Sequence, residues 1–119
     1  MASQGESPYA YMLRELFREE ERAKNDDALD INVRDRNGST PLHWAVYVCS
    51  PICVNFLLAQ PDILINAQDV WGQTPLHLAV KRGEIRIIKQ LLVKGADTAA
   101  LDKEGRTPLE IASLVFDAD

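Results

Sequence analysis

The stretch Asp35-Arg-Asn-Gly-Ser-Thr-Pro-Leu-His-Trp-Ala45 decides the fold of this chain, because the same sequence motif is repeated twice further along. Asp69-Val-Trp-Gly-Gln-Thr-Pro-Leu-His-Leu-Ala79 follows after 34 residues, and Asp102-Lys-Glu-Gly-Arg-Thr-Pro-Leu-Glu-Ile-Ala112 after another 33. A fixed period of this size is typical of stacked repeat proteins, in which each unit buries its apolar face against the next. Such scaffolds generally bind a partner, so the period predicts an interaction function without chemistry.

Each unit has the same internal pattern, which predicts a tight turn followed by two helices. Asp-x-x-Gly is typical of a turn, and Thr-Pro is typical of a helix start, with threonine as the cap and proline in the first helical turn. The predicted first helices run from Leu42 to Val48 and from Leu76 to Arg82. A second helix is predicted from about Glu84 to Val93, ended by Gly95. The pattern by itself predicts a helical solenoid.

These units resemble the ankyrin repeat. The resemblance rests on Thr40-Pro-Leu-His-Trp-Ala45, Thr74-Pro-Leu-His-Leu-Ala79 and Leu91-Leu-Val-Lys-Gly-Ala-Asp97, and it covers about residues 27–116. It implies an all-α, ankyrin-type helical repeat solenoid whose helix-turn-helix units carry β-turn tips. It also implies that the motif histidine hydrogen-bonds the backbone of its own turn, and that a partner lies against the concave face of turn tips and first helices.

The repeat boundaries divide the chain into five segments. Residues 1–6 are expected to be a frayed N-terminus, 7–34 a degenerate N-terminal capping repeat, 35–68 and 69–101 full ankyrin repeats, and 102–119 a partial C-terminal ankyrin repeat. The capping helix is predicted from Ser7-Pro8 and from a following apolar stripe at helical spacing (Tyr9, Met12, Leu13, Leu16 and Phe17). An unrelated N-terminal extension is the alternative.

Two departures from the pattern generate expectations of their own. Residues 49–51 replace the region of Arg82-Gly83-Glu84, shifted by one residue. In the third copy Glu110 stands where the motif has histidine, and the sequence holds only one helix of that unit. Ile88 and Leu92 are therefore expected to lie bare. We expect the natural chain to continue, or this C-terminal edge to be covered by a partner or by self-association with a second copy.

Composition narrows the classes of function. The chain has 119 residues and a net charge of -5, with a pI of about 5.0, which argues against nonspecific nucleic-acid binding. No apolar run is long enough to span a bilayer, so no membrane span is expected. The absence of a secretory signal pattern and the presence of only two cysteines favour an intracellular, cytoplasmic protein.

No catalytic, cofactor or metal site is predicted, and the chain is not expected to be an enzyme. His43 and His77 occupy the same slot in successive units, so a two-histidine metal site is conceivable, but the resemblance implies a structural role. Cys49 and Cys53 fit core packing, with redox or metal use as the alternative. The sequence contains no phosphate-binding loop and no dinucleotide fingerprint.

We predict the partner-binding residues by motif position, as the resemblance implies. The turn tips contribute Arg36, Asn37, Ser39, Val70, Trp71, Gln73, Lys103, Glu104 and Arg106, and the first helices contribute Tyr47, Val48, Lys81 and Arg82, with Leu114 and Val115 in the third unit. Trp71 is the strongest candidate, because the repeat core needs no indole at a turn and tryptophan is enriched in binding hot spots. The alternative is that Trp71 packs back onto its own turn. Trp44 is expected to be partly buried, which makes it the second candidate after Trp71.

The sequence thus predicts a non-catalytic protein–protein interaction module, a scaffold or adaptor whose partner is another protein or peptide. The alternative is that it forms the ankyrin segment of a larger regulatory protein, for example a GTPase-activating protein, a channel or a kinase, whose other domains carry the activity.

Overall fold

The computed structural model describes residues 30–116, and this part of the chain consists of five helices without a strand. The helices are α1 (Pro41–Tyr47), α2 (Pro51–Leu58), α3 (Pro75–Arg82), α4 (Ile85–Val93) and α5 (Pro108–Phe116). The predicted all-α repeat fold is confirmed. The predicted frayed N-terminus and capping helix lie outside the described residues, as do the last three residues of the chain.

The helix starts follow the predicted cap chemistry, one residue earlier than expected. Thr40 and Thr74 accept hydrogen bonds from the backbone N–H groups of His43 and His77, three residues on. The proline after each threonine is already helical, because its fixed φ suits the first turn and its missing N–H costs no bond there. The first helix consequently runs from Pro41 to Tyr47 rather than from Leu42 to Val48.

The junction between α1 and α2 corrects the predicted one-residue shift. Cys49 precedes Gly83 by the repeat step of 34 residues, and the two share a left-handed backbone, with φ of 59° and 69°. The N–H of the next residue, Ser50 or Glu84, bonds back to the motif alanine in both units. Cys49 thus takes a conformation that suits glycine, at a cost of about 1–2 kcal/mol for a residue with a Cβ.

The core is a continuous apolar layer between successive units. The first helices pack in a row, α1 against α3 and α3 against α5, while α2 packs against α4 behind them. The largest buried apolar side chains come from all three units: Leu42, Leu57, Ile87, Leu91 and Ile111. Burial of each stabilises the fold by roughly 1.5–3 kcal/mol, and most of these contacts form only when neighbouring units stack.

The turns also stack directly through their backbones. The N–H of Val70 donates to the carbonyl of Asn37 at 2.9 Å, and the N–H of Lys103 donates to the carbonyl of Trp71 at 3.0 Å. This close approach leaves no room beside Gly72, where a Cβ would stand 2.7 Å from the Lys103 nitrogen. Glycine is therefore required at residue 72 both by its φ of 76° and by the neighbouring turn.

Polar side chains tie each turn to the following unit. Arg34 donates to its own turn at Gly38 and to the carbonyl of Gln68, and Gln68 repeats the arrangement with Gly72 and Leu101. The motif histidines do the same from the helices. The structural role expected of them extends further than their own turn, because Nε2 reaches the next unit: His43 donates to Gln73 O at 2.8 Å and His77 to Arg106 O at 2.9 Å.

These inter-unit residues are replaced in the third copy. One repeat step further along, the equivalent residues cannot make the same hydrogen bonds to a following unit. Ala99 stands at the position of Asn32 and Asn66, Leu101 at that of Arg34 and Gln68, and Glu110 at that of His43 and His77. Leu109 shows the same change in packing, since it is 77% exposed whereas Leu42 and Leu76 at the same motif position are buried. Leu92 is exposed as expected, but Ile88 is partly buried against the core.

Gly72→Ala is expected to destabilise the fold more than Gly105→Ala. Both glycines have positive φ, 76° and 74°, so alanine at either position would adopt a left-handed backbone conformation that costs about 1–2 kcal/mol. Only at Gly72 would the new Cβ collide with backbone, and Gly105 has no atom within 4 Å of that position. Urea unfolding should show Gly72→Ala losing about 1–2 kcal/mol more than Gly105→Ala. Equal losses would contradict the close stacking of turns.

At pH values under about 6.5 the free energy of unfolding is expected to decrease, in part because His43 becomes protonated. Burial lowers the pKa of His43, and a proton on Nδ1 would face the Thr40 N–H that this atom accepts. The pKa of His43 is lower in the folded protein than in the unfolded chain. The contribution of neutral His43 to the free energy of unfolding is therefore complete above the unfolded pKa and is lost as pH falls through the folded pKa. The loss is at most about 1.4 kcal/mol per pH unit for one proton.

The check is to compare unfolding free energies at about pH 7.5 and about pH 5.5 for the wild type and for His43→Gln, which does not titrate. The wild type should lose more stability than the variant across this interval. The same loss in both proteins would remove His43 as a cause.

Candidate protein-binding groove

A groove of about 260 Å³ lies between the first two turns and the first helices of their units. Its lining residues come from both turns and from α1 and α3: Asn37, Ser39, His43, Trp44, Tyr47, Asp69, Trp71, Gln73 and Leu78. Pockets that bury whole drug-sized ligands occupy about 300–1,000 Å³. This groove is therefore of a size to receive part of a partner, such as one long side chain.

Trp71 stands at the tip of the second turn with 54% of its surface exposed. Its backbone is held on both sides: its N–H donates to Asp69 Oδ1 at 2.9 Å and its carbonyl accepts from Lys103. The indole itself forms one wall of the groove. A large apolar surface is thus presented on a rigid turn, which lowers the entropy lost when a partner binds.

Trp44 and Tyr47, on α1, also line the groove. Their rings meet edge to face with centroids 5.5 Å apart, and the Trp44 indole N–H donates to Asp35 Oδ2 at 2.7 Å. The guanidinium of Arg82 lies 4.9 Å from the centroid of Tyr47. A hydrogen bond with the thiol of Cys49 is the largest cause that raises the pKa of Arg82, and Tyr47 adds to it. The guanidinium is cationic beside Tyr47.

The turn aspartates differ in one respect that bears on the groove. Each accepts two backbone N–H groups at Oδ1, as Asp69 does from Trp71 and Gln73. Asp35 and Asp102 also bind a side chain at Oδ2, Trp44 in the first unit and Arg106 in the third. In the second unit Leu78 stands at the position of Trp44, and Asp69 Oδ2 has no hydrogen bond to a side chain within residues 30–116.

The structure brings together some of the predicted residues and separates others. Asn37, Ser39, Tyr47, Trp71 and Gln73 line the groove, and Arg82 contacts its Tyr47 wall. The other predicted residues lie outside this lining, and most of them are exposed: Arg36, Val48, Val70, Lys81, Lys103, Leu114 and Val115. Glu104 and Arg106 form an ion pair with each other, and Arg106 also binds Asp102.

The predicted set of partner-binding residues leaves out four lining residues: His43, Trp44, Asp69 and Leu78. Trp44 was expected to be partly buried, and it is, but one side of it also faces the groove. Asp69 was interpreted as a turn residue only. The available signal was the change from Trp44 to Leu78 at one motif position, which leaves the second aspartate without the indole partner of the first.

Within residues 30–116 no group of three or more His, Cys, Asp or Glu side chains is arranged to hold a metal ion. His43 and His77 each bind backbone at both ring nitrogens. The same part of the chain contains no helix with the length and apolar character required to cross a membrane.

Comparison with known proteins agrees with the repeat structure. Two family models match, one described as ankyrin repeats (3 copies) over residues 53–115 and one as ankyrin repeats (many copies) over residues 23–76. A putative ankyrin repeat protein of Rickettsia bellii is 36% identical over 92 residues, which are 76% of this chain and 51% of that protein.

Two other relatives are much longer proteins. Delta-latroinsectotoxin-Lt1a of Latrodectus tredecimguttatus is 40% identical over 82 residues, 68% of this chain and 7% of the toxin. Palmitoyltransferase AKR1 of Lachancea kluyveri is 37% identical over 87 residues, 73% of this chain and 12% of the enzyme. The chain spans about half or less of the length of each of these relatives. The motif that occurs three times, the stacked helix pairs and these matches establish that the chain belongs to the ankyrin-repeat family.

Proposed function

We propose that the chain is a non-catalytic protein-binding module, a scaffold or adaptor inside the cell, that holds a partner protein against its turn tips and first helices. The observation that carries the proposal is the groove walled by Trp71, Trp44 and Tyr47. Ankyrin repeats are protein-interaction modules, and aromatic side chains on a rigid surface are the residue types most enriched among binding hot spots.

The distribution of charge and apolar surface supports the same face. Trp71 and Tyr47 are more than half exposed, although tryptophan is mostly buried in folded proteins. Arg36, Lys81 and Arg82 are exposed, and Arg82 contacts Tyr47, so these cations could supply polar contacts at the rim of an interface. Lys103 and Glu104 extend the predicted surface to the third turn.

The alternative is that this chain is the ankyrin segment of a larger regulatory protein. Some relatives have names that describe enzymes, including the Hydra vulgaris tyrosine-protein kinase HTK16 and the Arabidopsis thaliana E3 ubiquitin-protein ligase KEG, of which the match covers 10% and 5%. In such an arrangement the groove would bind a substrate or regulator, and catalysis would belong to another domain.

Trp71→Ala is expected to abolish partner binding while changing the unfolding free energy by less than about 1 kcal/mol, as for an exposed hot-spot residue. The measurement is affinity capture from an extract of the source cells, with quantitative identification of captured proteins. Val93→Ala is the matched control, because Val93 is 82% exposed on α4 and lies outside the groove lining. Equal capture by the wild type and Trp71→Ala would remove Trp71 from the binding site.

A second candidate function is self-association through the C-terminal edge. The observation that favours it is the apolar character of this end of the described structure, where Leu101 at the end of the second full repeat and Leu109, Leu114 and Phe116 of the third unit are exposed. Exposed apolar side chains grouped on one part of a surface are typical of protein–protein contacts.

If the edge self-associates, the mass of the wild-type protein in light scattering should rise with concentration, and Leu109→Lys should shift this rise to higher concentration. Ile52→Lys is the control, since Ile52 is 83% exposed on α2 of the first full unit and its change should leave association intact. A constant monomer mass across the series, or equal effects of both lysines, would contradict self-association through this edge.

A further inference from the structure

We propose that the groove binds a long basic side chain, an arginine or a lysine, presented by the partner protein. This inference rests on the proposed function and specifies the chemistry of the partner. It combines three features of the groove: a carboxylate oxygen with no hydrogen bond to a side chain within residues 30–116, aromatic lining residues from both units, and the aliphatic side chain of Leu78.

The carboxylate is that of Asp69. Its Oδ1 is committed to the turn, where it accepts the N–H groups of Trp71 and Gln73 at 2.9 Å. Its Oδ2 differs from the equivalent atoms of Asp35 and Asp102, which are bound by the Trp44 indole and the Arg106 guanidinium. The second unit therefore offers, inside the groove, an acceptor for a charged donor of the kind that Arg106 supplies in the third unit.

The walls suit the rest of such a side chain. Ring faces attract cations, because the π-electrons place negative charge above and below the ring. Arg82 already demonstrates this at Tyr47, with its guanidinium carbon 4.9 Å from the ring centroid. Leu78, together with the indoles of Trp44 and Trp71, provides apolar surface against which the methylene stem of an arginine or a lysine could pack.

Charge decides between the possible occupants. An acidic side chain would bring a second negative charge next to Asp69. A neutral apolar side chain would remove water from the Asp69 carboxylate without replacing the lost hydrogen bonds, which is unfavourable. The charge of the whole chain, -5, also attracts a basic partner over longer distances. Arg82 opposes a cation, but it lies at the edge of the groove and outside its lining.

The test is an NMR titration of the whole chain that follows the indole N–H signals of Trp44 and Trp71. The probe is N-acetyl-L-arginine amide up to about 100 mM, a range that covers weak single-residue binding. N-acetyl-L-citrulline amide is the matched neutral probe, because it has nearly the shape of arginine without the charge, and N-acetyl-L-glutamic acid amide is the acidic probe.

Asp69→Asn is the informative variant, since asparagine keeps an oxygen for the two turn N–H groups and replaces only the second oxygen. Asp97→Asn is its control, because Asp97 accepts the Ala99 N–H in a similar turn and does not line the groove. Arg82→Gln completes the set by removing the opposing charge.

The expected result is saturable binding of the arginine probe to the wild type, with citrulline binding about threefold to tenfold more weakly, as for loss of one charge-assisted contact. Asp69→Asn should remove this difference, Asp97→Asn should keep it, and Arg82→Gln should tighten the arginine probe. Absence of saturation, equal binding of arginine and citrulline, tighter binding of the acidic probe, or an unchanged difference in Asp69→Asn would each overturn the inference.

The two proposals fail separately. If Trp71→Ala still captures the partner, the proposed binding face is wrong. If capture depends on Trp71 but the arginine probe shows no preference, the binding face stands and only the basic side chain is refuted.

Discussion

The hydrogen bonds that cross from each unit to the next are the interaction on which the rest of the structure depends. The motif histidine is the clearest case, because one ring nitrogen accepts from its own helix cap and the other donates to the carbonyl of the following turn. Since that carbonyl can only accept, Nε2 of His43 must carry the hydrogen, and since Nδ1 accepts the Thr40 N–H, this ring is neutral. The imidazole on the helix of one unit therefore positions the turn of the next unit. The apolar layer between the units supplies most of the stabilisation.

This register also positions the groove. Trp71 lines the same groove as Trp44 and Tyr47, and the second turn is bonded to the first unit through backbone groups and through Arg34. The groove is thus assembled from two units, neither of which contains it alone. A substitution that weakens the stacking of the units would therefore change the shape of the groove without altering any residue that a partner would contact.

Small differences between equivalent positions give the units their separate roles. Trp44 and Leu78 occupy one motif position, and Asp69 Oδ2, unlike Asp35 Oδ2, has no hydrogen bond to a side chain within residues 30–116. Asp102 illustrates the opposite outcome: burial alone would raise its pKa, but hydrogen bonds from Arg106 and Glu104 and the charge of Arg106 hold it below its ordinary value. The turn aspartates therefore share one backbone role and differ in the side chains that bind their second oxygen.

The sequence by itself determined the repeat, its period, the helix caps and the family, because turns and caps depend on a few residues at fixed spacing. It also pointed to Trp71 and Tyr47 at the groove. It did not include Asp69, it rated Trp44 second, and it placed Cys49 one residue out of register with Gly83. It also could not tell that Lys103 and Arg106 lie outside the lining of this groove. Those facts depend on which side chains of different units meet. That meeting is decided by stacking, since residues 30 or more positions apart become neighbours only when the helices pack.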